Sequence, residues 1–297
     1  MSSAAAPLGT PPIEIVRPLA HALPVVLASP HSGDAYPADF LDQTHLPLAV
    51  LRRSEDAFVD RLFGLAARNG VPLLRALYPR SFVDPNRDPW ELDPSMFEGP
   101  PPANANSRSP RVAAGLGVVP RVAFDGQQIY RRRLPGAEFE RRIAWYYRPY
   151  HAALTRLIAE TTERFGHCIL VDCHSMPSAA SGSQTPGVKP GRVDFVLGDN
   201  HGASCAAVLT GIAEDWLRRH DYRVVRNQPY AGGFTTQHYG APMRGVHVLQ
   251  VEINRSLYMD EVAMAPHAGF EPLARHLGEL VEDIGYASLG HSAFAAE

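Results

Sequence analysis

Apolar residues in this chain come in short unbroken runs, and these alternate with longer segments of helical spacing. Val25-Val26-Leu27-Ala28-Ser29 is closed by Pro30. Cys168-Ile169-Leu170-Val171-Asp172 leads into Cys173-His174, and Val246-His247-Val248-Leu249-Gln250-Val251 leads into Glu252-Ile253. Runs of this length bounded by turn residues read as buried strands. Residues 73–76, 81–83, 194–197 and 222–226 are shorter strand candidates. Helical spacing is clearest over 55–69 (Phe58, Leu62, Leu65, Ala66), 137–165 (Ile143, Tyr146, Tyr147, Tyr150, Leu154, Leu157, Ile158), 203–219 and 272–284. Strands alternating with helices predict an α/β fold, with a mixed, mostly parallel sheet and helices on both faces.

Two stretches break the pattern. Residues 88–120 are rich in Pro, Gly, Asn and Ser, with Gly99-Pro100-Pro101-Pro102 at their middle, and 178–191 are similarly biased. Loops of this length are either functional lids or solvated insertions. Residues 1–12 read as a loose tail. With no linker and no internal repeat in view, 13–297 is expected to be a single α/β hydrolase domain carrying these two insertions.

Composition narrows the function. The 297 residues are 45% hydrophobic and 20% charged, enough for a large core. A formal charge of -3 without a basic block argues against nucleic acid as partner, and a small anionic substrate would need a local basic pocket. The three cysteines, Cys168, Cys173 and Cys205, are no disulfide framework and suit a reducing compartment. Met1-Ser2-Ser3-Ala4-Ala5-Ala6-Pro7 is no secretory signal, and no apolar stretch reaches the ~20 residues of a membrane span. The expectation is a cytoplasmic protein without membrane contact.

The candidate chemistry sits where the apolar runs end. In open α/β sheets ligands bind at the carboxyl ends of strands, and His31 and His174 each follow such an end. Neutral imidazole is a good zinc ligand, and catalytic zinc takes three protein ligands and a water. A histidine after a strand is also a common hydrogen-bonded core residue. Asp34, Glu55 and Asp56 compete for the third position; Glu55 and Asp56 equally suit a helix start. Asn86-Arg87 could clamp a carboxylate, the guanidinium supplying a planar fork of donors, or form a surface turn. Arg80 could polarise a carbonyl. Glu252, inside an apolar strand, is costly to bury unless it is paired or catalytic.

Pro30-His31-Ser32-Gly33, Glu55-Asp56 followed by Val59-Asp60-Arg61-Leu62, the segment 78–87, Arg148-Pro149-Tyr150-His151, Asp172-Cys173-His174-Ser175, His238-Tyr239-Gly240 and the segment 251–259 together resemble the N-formylglutamate amidohydrolase family. That family is related to zinc carboxypeptidases and aspartoacylase. The resemblance implies a phosphorylase/hydrolase-like fold and zinc-dependent cleavage of N-formyl-L-glutamate to formate and L-glutamate, a step of histidine degradation. It implies His31, Asp56 and His174 as metal ligands, Asn86 and Arg87 on the substrate carboxylate, Arg80 on the oxyanion, and Glu252 as general base and then acid. Other divalent transition metals accept the same ligands. The gap from His31 to Asp56 is longer than the three residues of the carboxypeptidase relatives. A carboxypeptidase- or peptidoglycan-type amidase on the same scaffold, or a non-catalytic sensor of an acidic metabolite, are the alternatives.

Overall fold

Seven strands make the main sheet of the computed structural model, which describes residues 10–181 and 192–290. They are β1 (Ile13–Val16), β2 (Val25–Ser29), β3 (Leu73–Ala76), β4 (Cys168–Met176), β5 (Phe195–Gly198), β6 (Val224–Arg226) and β7 (Val246–Asn254), in spatial order β1-β3-β2-β4-β7-β5-β6. β2, β4 and β5 are buried along their whole length, which is why they read as continuous apolar runs rather than as alternation. β2–β4, β4–β7 and β5–β6 pair in parallel and β5–β7 antiparallel, so the sheet is mixed and mostly parallel, as expected.

Contacts among the described residues gather into two compact units. One comprises those of Ile15–Pro30, Asp56–Leu74 and Leu154–Glu297. Its core joins Ile169, Val171 and Cys173 of β4 and Leu249, Val251 and Ile253 of β7 to the apolar sides of helices Ala207–Arg219 and Phe270–Leu289. Side chains alternate across a strand. The intervening residues, Asp172 and His174 on β4 and Gln250 and Glu252 on β7, therefore point to the opposite face. The parallel register sets Asp172 beside Gln250 and His174 beside Glu252.

The other unit takes the described residues of Met1–Glu14, His31–Glu55 and Arg75–Ala153. It has short helices (Ala38–Gln43, Leu48–Arg52, Pro110–Ala113) and much irregular chain. Both ends of its 88–120 stretch are packed, with Leu92, Met96, Phe97, Val112, Val118 and Val119 buried, while residues 98–111 between them are largely exposed. Asp93 and Ser109 cap its two helical turns by accepting from the N–H groups of Ser95 and Val112. At the centre lies the fully buried Arg142. Its Nε donates to Glu138 Oε1 (2.7 Å), and its guanidinium lies 4.2 Å from the Phe82 ring centroid.

Four local expectations change. The helix expected over 55–69 is two short ones, Val59–Leu62 and Gly64–Arg68, entered through Phe58 at φ 66°. Glu55 and Asp56 stay outside because both are buried and bonded to other segments. Residues 81–83 form a turn, with the N–H of Phe82 on the Pro79 carbonyl (3.0 Å). Prolines at 79 and 85 deny that stretch a ladder. The 137–165 helix is present but contains a widened turn at Ile143–Tyr147, between Gly136–Arg142 and Arg148–Phe165. β1 lies inside what reads as sequence just past a loose tail. It is a four-residue edge strand, too short for a periodicity to register. Residues 1–9 of the expected tail and 182–191 of the second expected loop lie outside the described residues. Among the described residues no helix is long and apolar enough to cross a membrane.

One buried histidine makes stability depend on pH. His247 of β7 accepts a hydrogen bond from the Ala206 N–H on Nδ1 (3.3 Å), which requires that nitrogen unprotonated. Burial, with His167 adding a like charge, lowers its pKa to about 4. An unfolded histidine titrates near ~6.5. Its contribution is therefore complete above that pH and is lost as pH falls toward the folded value, by about 2–3 kcal/mol in all. Urea denaturation at pH 7, 5.5 and 4.5 should show this decline, with a shallower slope in His247→Leu.

Candidate active site

Strand alternation delivers one cluster of buried polar side chains. His174 Nε2 lies 3.0 Å from Asp172 Oδ2, two residues back on the same face of β4, and His174 Nδ1 lies 3.0 Å from Asp56 Oδ2. The other oxygen of Asp56 accepts from Arg255 Nη2 (3.2 Å), and Arg255 Nε donates to Ser175 Oγ (3.2 Å). Glu252 stands beside His174 in register. Its Oε1 accepts from Gln250 Nε2 (2.9 Å), and Gln250 Oε1 accepts from the Gly233 N–H (2.9 Å), so the amide is held at both ends. All of these side chains are buried. Burial alone would lower the pKa of His174; Asp172, then Asp56 and Glu252, push it well above the usual imidazole range. Three carboxylates thus converge on one imidazole, with Arg255 on the far side of Asp56. Such a surplus of negative charge is what a bound cation would neutralise.

Asp84 organises a second cluster. Its Oδ1 is 2.7 Å from His31 Nε2 and accepts from the Asn86 N–H (2.9 Å), and its Oδ2 accepts from Arg80 Nη2 (2.8 Å) with Arg87 Nη2 at 3.8 Å. Burial would raise its pKa, but Arg80, His31 and Arg87 together hold the carboxyl well below the usual range. Arg87 is tied down further, its Nε donating to the Leu116 carbonyl (3.0 Å) and Nη1 to that of Asn86 (2.8 Å). Burial lowers its pKa, yet a guanidinium stays charged at neutral pH. Gly33 is required here: a Cβ would lie 2.2 Å from the Tyr78 carbonyl oxygen.

The competing acids separate cleanly. Asp34 is exposed. Glu55 accepts from the Tyr36 hydroxyl (2.8 Å) and from Arg52 Nε (3.2 Å). Asp56 alone of the three acids meets a histidine, its Oδ2 lying 3.0 Å from His174 Nδ1. The residues that could hold a metal ion, His31, Asp56 and His174, offer two imidazoles and a carboxylate, a zinc-type donor set. Asp84 on His31 Nε2 and Asp172 on His174 Nε2 are carboxylate partners of the kind that metal-bound histidines characteristically carry.

Of the residues singled out in the sequence, Arg80, Asn86 and Arg87 gather round Asp84, and Glu252 flanks His174. Four partners escaped notice. Asp172 and Gln250 carry a usable signal, a polar residue two positions before His174 and before Glu252 in otherwise apolar strands. Asp84 lies between Val83 and Pro85 and shows only as an acid in a buried context. Arg255 gives no local signal.

A mostly parallel α/β sheet with histidine, aspartate and glutamate gathered where its strands end defines a hydrolase-type scaffold. Residues 23–259 match the family described as N-formylglutamate amidohydrolase, and the chain belongs to that family. It is 32% identical over 267 residues to an N-formylglutamate deformylase of Pseudomonas aeruginosa, covering 88% of this chain and 91% of that protein. It is 30% identical over 251 residues to the protein of the same name from Pseudomonas putida, covering 80% and 83%. A crystal structure of N-formylglutamate amidohydrolase from Ralstonia eutropha JMP134 superposes with a TM-score of 0.88 at 38% identity, covering 95% of this chain and all of that one.

Because Asp84 is the buried counter-charge for Arg80 and Arg87, its loss should be felt in folding. Asp84→Asn should lower stability by about 3 kcal/mol, the scale for breaking a buried pair. A chemical denaturation midpoint within error of the parent would show that the cluster contributes nothing.

Proposed function

We propose that this chain is a metal-dependent amidohydrolase that cleaves N-formyl-L-glutamate to formate and L-glutamate. His31, Asp56 and His174 are the proposed ligands, and the observation that carries the reading is the surplus of carboxylate about His174, with Asp56 bonded to it and Glu252 beside it in register. The names of the relatives support the substrate. Zinc, or another divalent transition metal held by those three side chains, would supply a Lewis acid and lower the pKa of a water.

The chain's own groups then divide the work. Glu252 accepts a proton from the attacking water and passes it to the departing amine nitrogen. Its bond to Gln250 presets the carboxylate orientation, so little rearrangement is needed when the proton moves. Arg80, fixed by Asp84, offsets the charge that develops on the formyl oxygen, a role worth a few kcal/mol of barrier. Asn86 and Arg87 hold the substrate carboxylates. Arg87 supplies the local positive charge, and Asn86 a neutral donor, in a protein of net charge -3.

A panel of N-formyl-L-glutamate, N-acetyl-L-glutamate and short peptides, assayed with and without removal of metal by a chelator, tests the reading. The expected outcome is preference for the formyl substrate and activity that returns with zinc. Preference for a peptide would move the chain to a carboxypeptidase-type reaction, and bound glutamate without turnover would make it a sensor. Glu252→Gln should keep its metal, measured by elemental analysis, while kcat drops on the order of 10²–10⁴-fold. Undiminished turnover would remove Glu252 from the chemistry.

A further inference from the structure

The long helix that begins at Gly136 has one irregularity, and it lies beside the segment assigned to the substrate. Between Gly136–Arg142 and Arg148–Phe165, residues Ile143–Tyr147 form a turn closed by i→i+5 bonds. Pro149 has no N–H to give to the carbonyl of Trp145, so the regular i→i−4 pattern cannot run through this point. Next to it, the carbonyl of Tyr146 accepts from the Tyr78 hydroxyl (3.1 Å). Widened turns of this kind are rare and recur at functional sites.

The widening changes which side chains line up. In a regular helix five residues rotate about 500°, which would leave residue 147 about 140° round from residue 142. A turn closed by i→i+5 bonds holds one more residue, so residue 147 comes back over residue 142, and residue 151 follows four later. Arg142, Tyr147 and His151 do in fact serve one short segment. Arg142 Nη1 donates to the carbonyl of Phe82 (2.7 Å), His151 Nε2 to that of Pro85 (2.9 Å), and the Tyr147 hydroxyl to that of Arg87 (2.8 Å). The rings of Tyr147 and His151 pack at 4.2 Å between centroids, so each limits the other's freedom. The three carbonyls bracket Asp84 and Asn86 and end on Arg87.

We propose that the widened turn is a positioning device. It aligns Arg142, Tyr147 and His151 so that together they grip the backbone of 82–87 and thereby fix how Asn86 and Arg87 are presented to the substrate carboxylate. Tyr147 and His151 are positioning residues, not catalytic ones. Arg80 has its own anchor in Asp84, so loosening the grip acts on substrate binding more than on turnover. The inference rests on the substrate role given to Asn86 and Arg87 above.

The test is steady-state kinetics with N-formyl-L-glutamate and with N-formyl-L-glutamine, whose side chain is neutral. Tyr147→Phe keeps the ring and removes the donor; His151→Leu removes the other donor. Each should raise KM for the glutamate substrate about five- to ten-fold, the range for one lost buried hydrogen bond, while kcat falls less than two-fold. Preference for glutamate over glutamine should shrink by the same factor. His151→Gln, whose amide nitrogen can reach the Pro85 carbonyl, should recover most of the loss. Arg87→Ala separates the two readings. If it raises KM for glutamate while Tyr147→Phe and His151→Leu leave KM within two-fold, or raise it equally for both substrates, the positioning role is overturned and the substrate role stands. If Arg87→Ala leaves KM unchanged, the substrate role fails and takes this inference with it.

Discussion

Charge taken out of water must be answered by opposite charge or by hydrogen bonds, and that demand organises this molecule. An ion buried alone costs several kcal/mol, while a matched set can be tolerated. Asp56, Asp84, Asp172 and Glu252 are all buried. Each is answered: Asp84 by Arg80, Arg87 and His31, Asp56 by Arg255 and His174, Asp172 by His174, and Glu252 by Gln250. The geometry of the site is the geometry of that matching. Around His174 the carboxylates outweigh the cations, which gives a divalent metal a reason to bind there.

The sheet makes the matching possible at low cost. A parallel ladder has no freedom to slip once one face is committed to a core. β4 and β7 commit Ile169, Val171, Cys173, Leu249, Val251 and Ile253 to it. The alternate residues are then forced to the other side, and the register puts His174 and Glu252 abreast without further instruction. Apolar packing on one face thus holds the polar side chains of the other face rigidly in place.

The segment 78–87 solves the complementary problem. It has no ladder of its own, so its carbonyls are claimed by side chains of a neighbouring helix and its N–H groups by turns and by Asp84. Backbone outside a ladder must still satisfy its polar groups, so an irregular segment is held by its neighbours. The departures from sequence expectation fall in the same places. The helix expected over 55–69 starts late because Glu55 and Asp56 are drawn into buried bonds, and the 137–165 helix widens where Pro149 interrupts it. Local propensity, worth tenths of a kcal/mol per residue, yields to the several kcal/mol that leaving a buried charge unpaired would cost.

Much of this was legible in the chain itself. The buried strands, the alternation of strands and helices, and the candidates His31, His174 and Glu252 follow from apolar runs and the residues at their ends, because hydrophobic periodicity is a local property that each segment carries alone; Arg80, Asn86 and Arg87 are marked by residue type and family resemblance. Asp172 and Gln250 could have been read from the same alternation. The choice of Asp56 over Glu55 could not be read from local pattern, nor could the roles of Asp84 and Arg255. Two adjacent acids at a turn are equivalent until the fold decides which one meets a histidine 118 positions away and which meets Tyr36. Sequence by itself determined which groups would be buried; only the tertiary structure decided which of them would face one another, since pairing energy depends on distance through space and not along the chain.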